Sequence, residues 1–76
     1  MPHISVKMYP GRSEEQKTRL AEQIVKDVVK ILDAGEEWIS VAIEDVDPGK
    51  WAEQVYRPEI LDNPKLYKKP GYNPLE

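Results

Sequence analysis

The stretch SEEQKTRLAEQIVKDVVKIL (13–32) decides the fold. Ser13, with Gln16 three residues later, reads as a capping box, and Glu14 and Glu15 fall where the positive end of a helix dipole favours anions. Leu20, Ile24, Val28 and Ile31/Leu32 then recur at helical spacing, and Ala21, Val25 and Val29 broaden the apolar stripe. Glu15 with Arg19, and Glu22 with Lys26, form i,i+4 pairs on the outer face. The valines and isoleucines favour strand locally, but two-apolar, two-polar spacing sustained over the whole stretch predicts one long helix. It is expected to end near Asp33-Ala34-Gly35, with Gly35 as the left-handed residue beyond its last turn.

Both flanks change period. HISVKM (3–8) alternates strictly, with Ile4, Val6 and Met8 on one face and His3, Ser5 and Lys7 on the other, as a half-buried strand does. His3 therefore faces away from the helix. YPGR (9–12) is a turn with proline and glycine as breakers. WISVAIE (38–44) alternates again, with Ile39, Val41 and Ile43 together. Strand, helix, strand with so long a crossover demands parallel strands and a right-handed connection. Beyond it, Asp47-Pro48 reads as an N-cap followed by proline at the first helical position, opening a short helix to about Arg57, where Pro58 interrupts. Asn63-Pro64 repeats the device for one more helical turn. KKPGYNP (68–74) is too rich in breakers for a helix, although Tyr67 and Tyr72 could pack it onto a neighbour.

The fold class is therefore α+β: a β-α-β monomer with parallel strands, one long helix and short C-terminal helices, forming a single domain over 1–76. A chain of 76 residues buries only about 60% of the surface it exposes when unfolded, so its own core is marginal. With no cysteine and one histidine, neither disulfides nor a protein-only zinc site can staple it. Two parallel strands and one helix leave sheet edges and apolar surface uncovered. Joining two copies into one four-stranded sheet cures both defects, so a homo-oligomer is expected. A formal charge of −3 argues against nucleic acid or anionic membrane as partner. No apolar run reaches the ~20 residues needed to span a bilayer and no signal-peptide core is present, so a cytoplasmic location is expected.

No glycine-rich phosphate loop, nucleophile elbow or His–Glu metal helix is present, and the carboxylates are scattered along solvated faces. What remains is the opening Met1-Pro2. If Met1 is trimmed, Pro2 presents a free secondary amine, which no internal residue can offer; with Met1 attached, its nitrogen is a tertiary amide without basicity. Many chains begin Met-Pro for no chemical reason, but here the proline leads straight into a strand whose first residues pairing would bury. An α-amino group titrates near ~8, so a general base at neutral pH needs a depression of about two units, or about 2.7 kcal/mol. Desolvation and a nearby cation both act in that direction. Arg12 is the natural cation: it lies on the unfavourable side of the helix dipole, and its planar fork could hold a carboxylate or a developing enolate if the loop folds back toward the strand start. An isolated loop arginine is ordinarily solvated, and Trp51 and Trp38 ordinarily pack in a core or interface.

Met-Pro, a short alternating strand, the turn Gly11-Arg12-Ser13 followed by EEQK, one amphipathic helix and a second strand together resemble the 4-oxalocrotonate tautomerase family. The resemblance covers about residues 1–52, and the tail KKPGY resembles a longer-chain bacterial subgroup that tends to dimers rather than hexamers. It implies a homo-oligomer without metal or organic cofactor, moving a proton between the enol and keto forms of a small 2-oxo acid. By the same resemblance Pro2 is catalytic base and then acid, Arg12 binds the substrate carboxylate, and Trp51 lines the apolar pocket. The family's second arginine, which polarises the 2-oxo group, falls at Ser40, and there the match fails. A monocarboxylate with an aromatic or apolar tail is accordingly expected at a site formed by Pro2, Arg12, Trp51 and Ser40. The alternative is a tautomerase-fold oligomer that has lost activity and serves as a binding module; Ser40 favours that reading, and Arg12 with its intact turn opposes it.

Overall fold

A computed structural model describes all of residues 1–76. Long-range packing groups them into two compact units, Met1–Asp45 and Val46–Glu76.

The first unit is β1 (His3–Met8), α1 (Glu14–Leu32) and β2 (Ser40–Asp45). The two strands pair in parallel, with His3 opposite Ser40 and Met8 opposite Asp45. The capping box at α1 is complete. Ser13 Oγ accepts from Gln16 N–H at 3.1 Å, and the Ser13 N–H donates to Gln16 Oε1 at 2.9 Å, so two otherwise orphaned donors are satisfied reciprocally. Lys17 Nζ meets Asp45 Oδ2 at 3.0 Å and Glu14 Oε1 at 3.5 Å, tying the first turn of α1 to the far end of β2.

Two boundaries differ from the sequence expectation. The left-handed residue that ends α1 is Asp33, at φ 54°, not Gly35, whose φ is −69°. Aspartate tolerates that conformation better than most side chains because its short polar group bonds locally. Closing the helix two residues early frees Gly35 to open a 3₁₀ turn, Glu36–Trp38. That turn takes Trp38 out of the strand, so β2 starts at Ser40 and Trp38 is 54% exposed.

Ile4, Val6, Val41 and Ile43 from the sheet, and Ala21, Ile24, Val25 and Val28 from the helix, are only half-buried. No residue between Met1 and Asp45 is fully buried. An open groove of about 580 Å³ runs along α1, lined by Ala21, Val25, Val29 and Val41. Ile31 and Leu32 face water at 76% and 61% exposure. Burial of apolar surface is the main force for folding, and this unit has left much of it undone.

The raised pKa of Lys17, caused first by its hydrogen bond to Asp45 and then by the carboxylate charges around it, gives that tie a pH signature. A group whose folded pKa lies above its ordinary 10.5 contributes stability that is complete below pH 10.5 and fades as pH rises through the folded value. Lys17→Met should therefore melt below wild type at neutral pH, and the gap should close in strongly alkaline buffer. A gap that stays constant with pH would show that the side chain acts by packing alone.

In the second unit, Asp47 Oδ1 accepts from Gly49 N–H at 2.8 Å and caps a 3₁₀ turn, Pro48–Lys50. The expected short helix follows but does not stop at Pro58. It continues as a π-helix over Ala52–Ile60, closed by Leu61 N–H donating to the Tyr56 carbonyl five residues back at 2.7 Å. Proline in an α-helix strikes the carbonyl four residues before it, and the wider winding moves that carbonyl aside. After Asp62, in the left-handed region at φ 54°, Asn63 makes one hydrogen-bonded turn rather than a helix. Val46, Val55 and Tyr56 are the buried core residues. Tyr72 lies 6.0 Å from Tyr56, centroid to centroid, and accepts the Trp51 indole N–H at 2.9 Å, so the tail closes on its own unit. Tyr67 is fully exposed. No helix of the chain is long and apolar enough to cross a membrane.

Candidate active site

Parallel pairing brings the amino-terminal ends of β1 and β2 to one end of the sheet. There the Pro2 carbonyl accepts the Ser40 N–H at 3.2 Å, which anchors the proline to the start of β2. Pro2 is half-buried and Met1, at 95% exposure, projects into water. The step from Met1 to Pro2 thus crosses from a solvated residue to a partly desolvated one. Beside it, His3 Nδ1 and Ser40 Oγ lie 2.7 Å apart on the face of the sheet away from α1. Ser40, the position at which the family resemblance fails, is therefore next to the proline.

Arg12 is not. β1 has six residues and spans ~20 Å, and the loop 9–12 leaves its far end. Gly11, at φ 129°, makes that turn in a conformation that side-chain-bearing residues avoid. Arg12 borders a hollow of about 160 Å³ with Met8, Gln16, Lys17 and Leu20. The loop does not fold back toward the strand start, so within one chain the guanidinium cannot reach Pro2. Lys17 is neutralised by Asp45 and Glu14, whereas Arg12 has no ion-pair partner in its own chain. An exposed, unmatched arginine in a shaped hollow is suited to hold an anion.

Trp51 belongs to the second unit, half-buried at the entry to the π-helix, with its indole N–H engaged by Tyr72. The first unit therefore unites Pro2 with Ser40 and holds Arg12 at the opposite end, while Trp51 is positioned by the tail. The residue that sequence reasoning undervalued is His3. Alternation alone set it on the open face, but its bond to Ser40 depends on the strand register, which pairs these two residues directly.

The first unit is thus a β-α-β unit with a half-buried proline at the open end of a parallel sheet. The family model described as "Tautomerase enzyme" matches residues 2–59. A protein named "Probable tautomerase" from Xylella fastidiosa is 41% identical over 76 residues, covering 99% of this chain and 93% of the relative. "Tautomerase PptA" of Cronobacter sakazakii is also 41% identical over 76 residues, covering 95% and 97%. Among solved structures, YwhB, a homologue of 4-oxalocrotonate tautomerase, superposes with a TM-score of 0.59 at 41% identity, over 60% of this chain and 75% of that one. The chain belongs to the 4-oxalocrotonate tautomerase family and is a tautomerase, an isomerase. The enzyme reading thereby prevails over the inactive binding module.

Proposed function

We propose that the protein interconverts the enol and keto forms of a 2-oxo monocarboxylate with an aromatic or apolar tail, in the cytoplasm and as a homodimer. Pro2, freed by removal of Met1, is the general base and acid. Its neutral nitrogen takes the enol hydroxyl proton while the oxygen's electron pair forms the carbonyl, and the C2=C3 pair takes a proton at C3 from the resulting prolinium. One proton enters, one leaves, and the amine is regenerated. The observation that carries this reading is the position of Pro2 at the first residue of the family match, half-buried and held through its carbonyl by Ser40. Desolvation there favours the neutral amine.

Arg12 of a second copy holds the substrate carboxylate. The strand length keeps a chain's own Arg12 away from its Pro2, and the unburied apolar surface of the first unit supports the pairing of two copies. Trp51 meets the substrate's tail, and residues 1–76 act as one tautomerase domain. Ser40 supplies a hydroxyl where the family's second guanidinium would polarise the 2-oxo group, so a second carboxylate has no cation to meet. Turnover of an aryl enol-pyruvate should exceed that of a dienol dicarboxylate by tenfold or more, measured as kcat/KM on the mature protein. Preference for the dicarboxylate would defeat the substrate assignment.

A further inference from the structure

The geometry points to His3 as a positioning residue for the reaction, one that fixes the Ser40 hydroxyl for the substrate's 2-oxygen; this rests on the reading of Pro2 and Ser40 above. Ser40 is tied twice to the dipeptide that carries the base: its N–H to the Pro2 carbonyl at 3.2 Å, and its Oγ to His3 Nδ1 at 2.7 Å. Main chain and side chain are thus both held by the residues at the reacting nitrogen. A rotating hydroxyl has one donor and two acceptor sites. When His3 Nδ1–H donates to Oγ, the hydroxyl's own proton is left for a third party, and donation to the oxygen polarises the O–H and strengthens the bond it can give. The third party is the oxygen that gains charge as the enolate develops.

Stability alone gives this contact little purpose. Both side chains are exposed at the end of the sheet, and a cross-strand pair in such a place contributes little to folding. What the pair does accomplish is to restrict a hydroxyl beside Pro2 that would otherwise sample its rotamers freely. A neutral donor so held is weaker than a guanidinium, but it is aimed before the substrate arrives.

A double-mutant cycle on His3 and Ser40 tests this, with kcat and KM measured on phenylenolpyruvate. His3→Ala should lower kcat roughly three- to tenfold, the range of one neutral hydrogen bond, with KM little changed, because the interaction strengthens only as charge develops. Ser40→Ala should cost at least as much, and adding His3→Ala to it should cost nothing further. His3→Asn, whose amide reaches the place of Nδ1, should restore most of kcat. His3→Gln, whose amide lies farther out, should not. Additive losses, or a His3→Ala enzyme equal to wild type, would overturn the assignment. Pro2→Ala assayed alongside separates the failures: a Pro2-dependent reaction indifferent to His3 overturns the role of His3 alone, whereas a reaction indifferent to Pro2 overturns the underlying reading and the role of His3 with it. Circular dichroism of each variant keeps a folding defect from passing as a kinetic one.

Discussion

Pro2→Ala should lower kcat by a hundredfold or more while leaving the melting temperature nearly unchanged. Proton transfer by a positioned group is worth about 10²–10⁴ in rate. The alanine variant keeps a primary amine at the same place, so the loss measures what the ring nitrogen supplies: higher intrinsic basicity in a fixed position. The proline's backbone carbonyl, which accepts from Ser40, survives the substitution, so the start of the sheet is preserved. A companion measurement makes the result decisive. Protein that retains Met1, confirmed by intact mass, should be as inactive as Pro2→Ala, because acylation converts the amine to an amide. Wild-type turnover with Met1 attached would show that the reaction does not pass through this nitrogen.

The second large effect comes from Arg12. Arg12→Ala should lower kcat/KM by about a hundredfold, chiefly through KM, since a charge-assisted bidentate contact to a carboxylate is among the strongest single polar interactions. More informative is a mixture of the two impaired enzymes, assayed at substrate well below KM, where each alone is nearly inactive. Within a chain, β1 holds Pro2 and Arg12 at opposite ends. If each site takes the proline of one copy and the arginine of the other, Pro2→Ala and Arg12→Ala subunits should complement. Random pairing makes half the dimers mixed, each with one intact site of two, so about a quarter of wild-type activity should return on unfolding and refolding them together. Recovery of none would place both residues' roles within a single chain and refute the shared site.

How much of this was legible in the sequence depended on which interaction set each feature. Ser13 and Gln16 announced the start of α1, and the 2-residue and 3.6-residue periods announced strand, helix and strand, because local bonds and a single buried face determine them. The end of α1 was harder: both Asp33 and Gly35 accept helix termination, and the 3₁₀ turn that decides between them is not periodic. Pro58 in the sequence signals a stop because proline breaks an α-helix, and the wider π winding escapes that clash. Pro2 could be named from the opening dipeptide and Ser40 from the resemblance, and their juxtaposition follows from the parallel register. The separation of Arg12 from Pro2 was implicit in the strand's length, yet a turn rich in glycine and proline leaves the return direction open. The bond between His3 and Ser40 was beyond pattern reading, because it links residues 37 apart through a register that no single segment encodes.

The unit that carries Pro2 has no interior of its own. Positions such as Val29, Ile31 and Leu32 look like free surface in one subunit, and drift toward polar residues there would cost an isolated chain almost nothing. In a twinned enzyme the same positions evolve under the restraint of a core. Substitutions far from the reacting proton could then silence catalysis by parting the subunits while leaving every catalytic group in place.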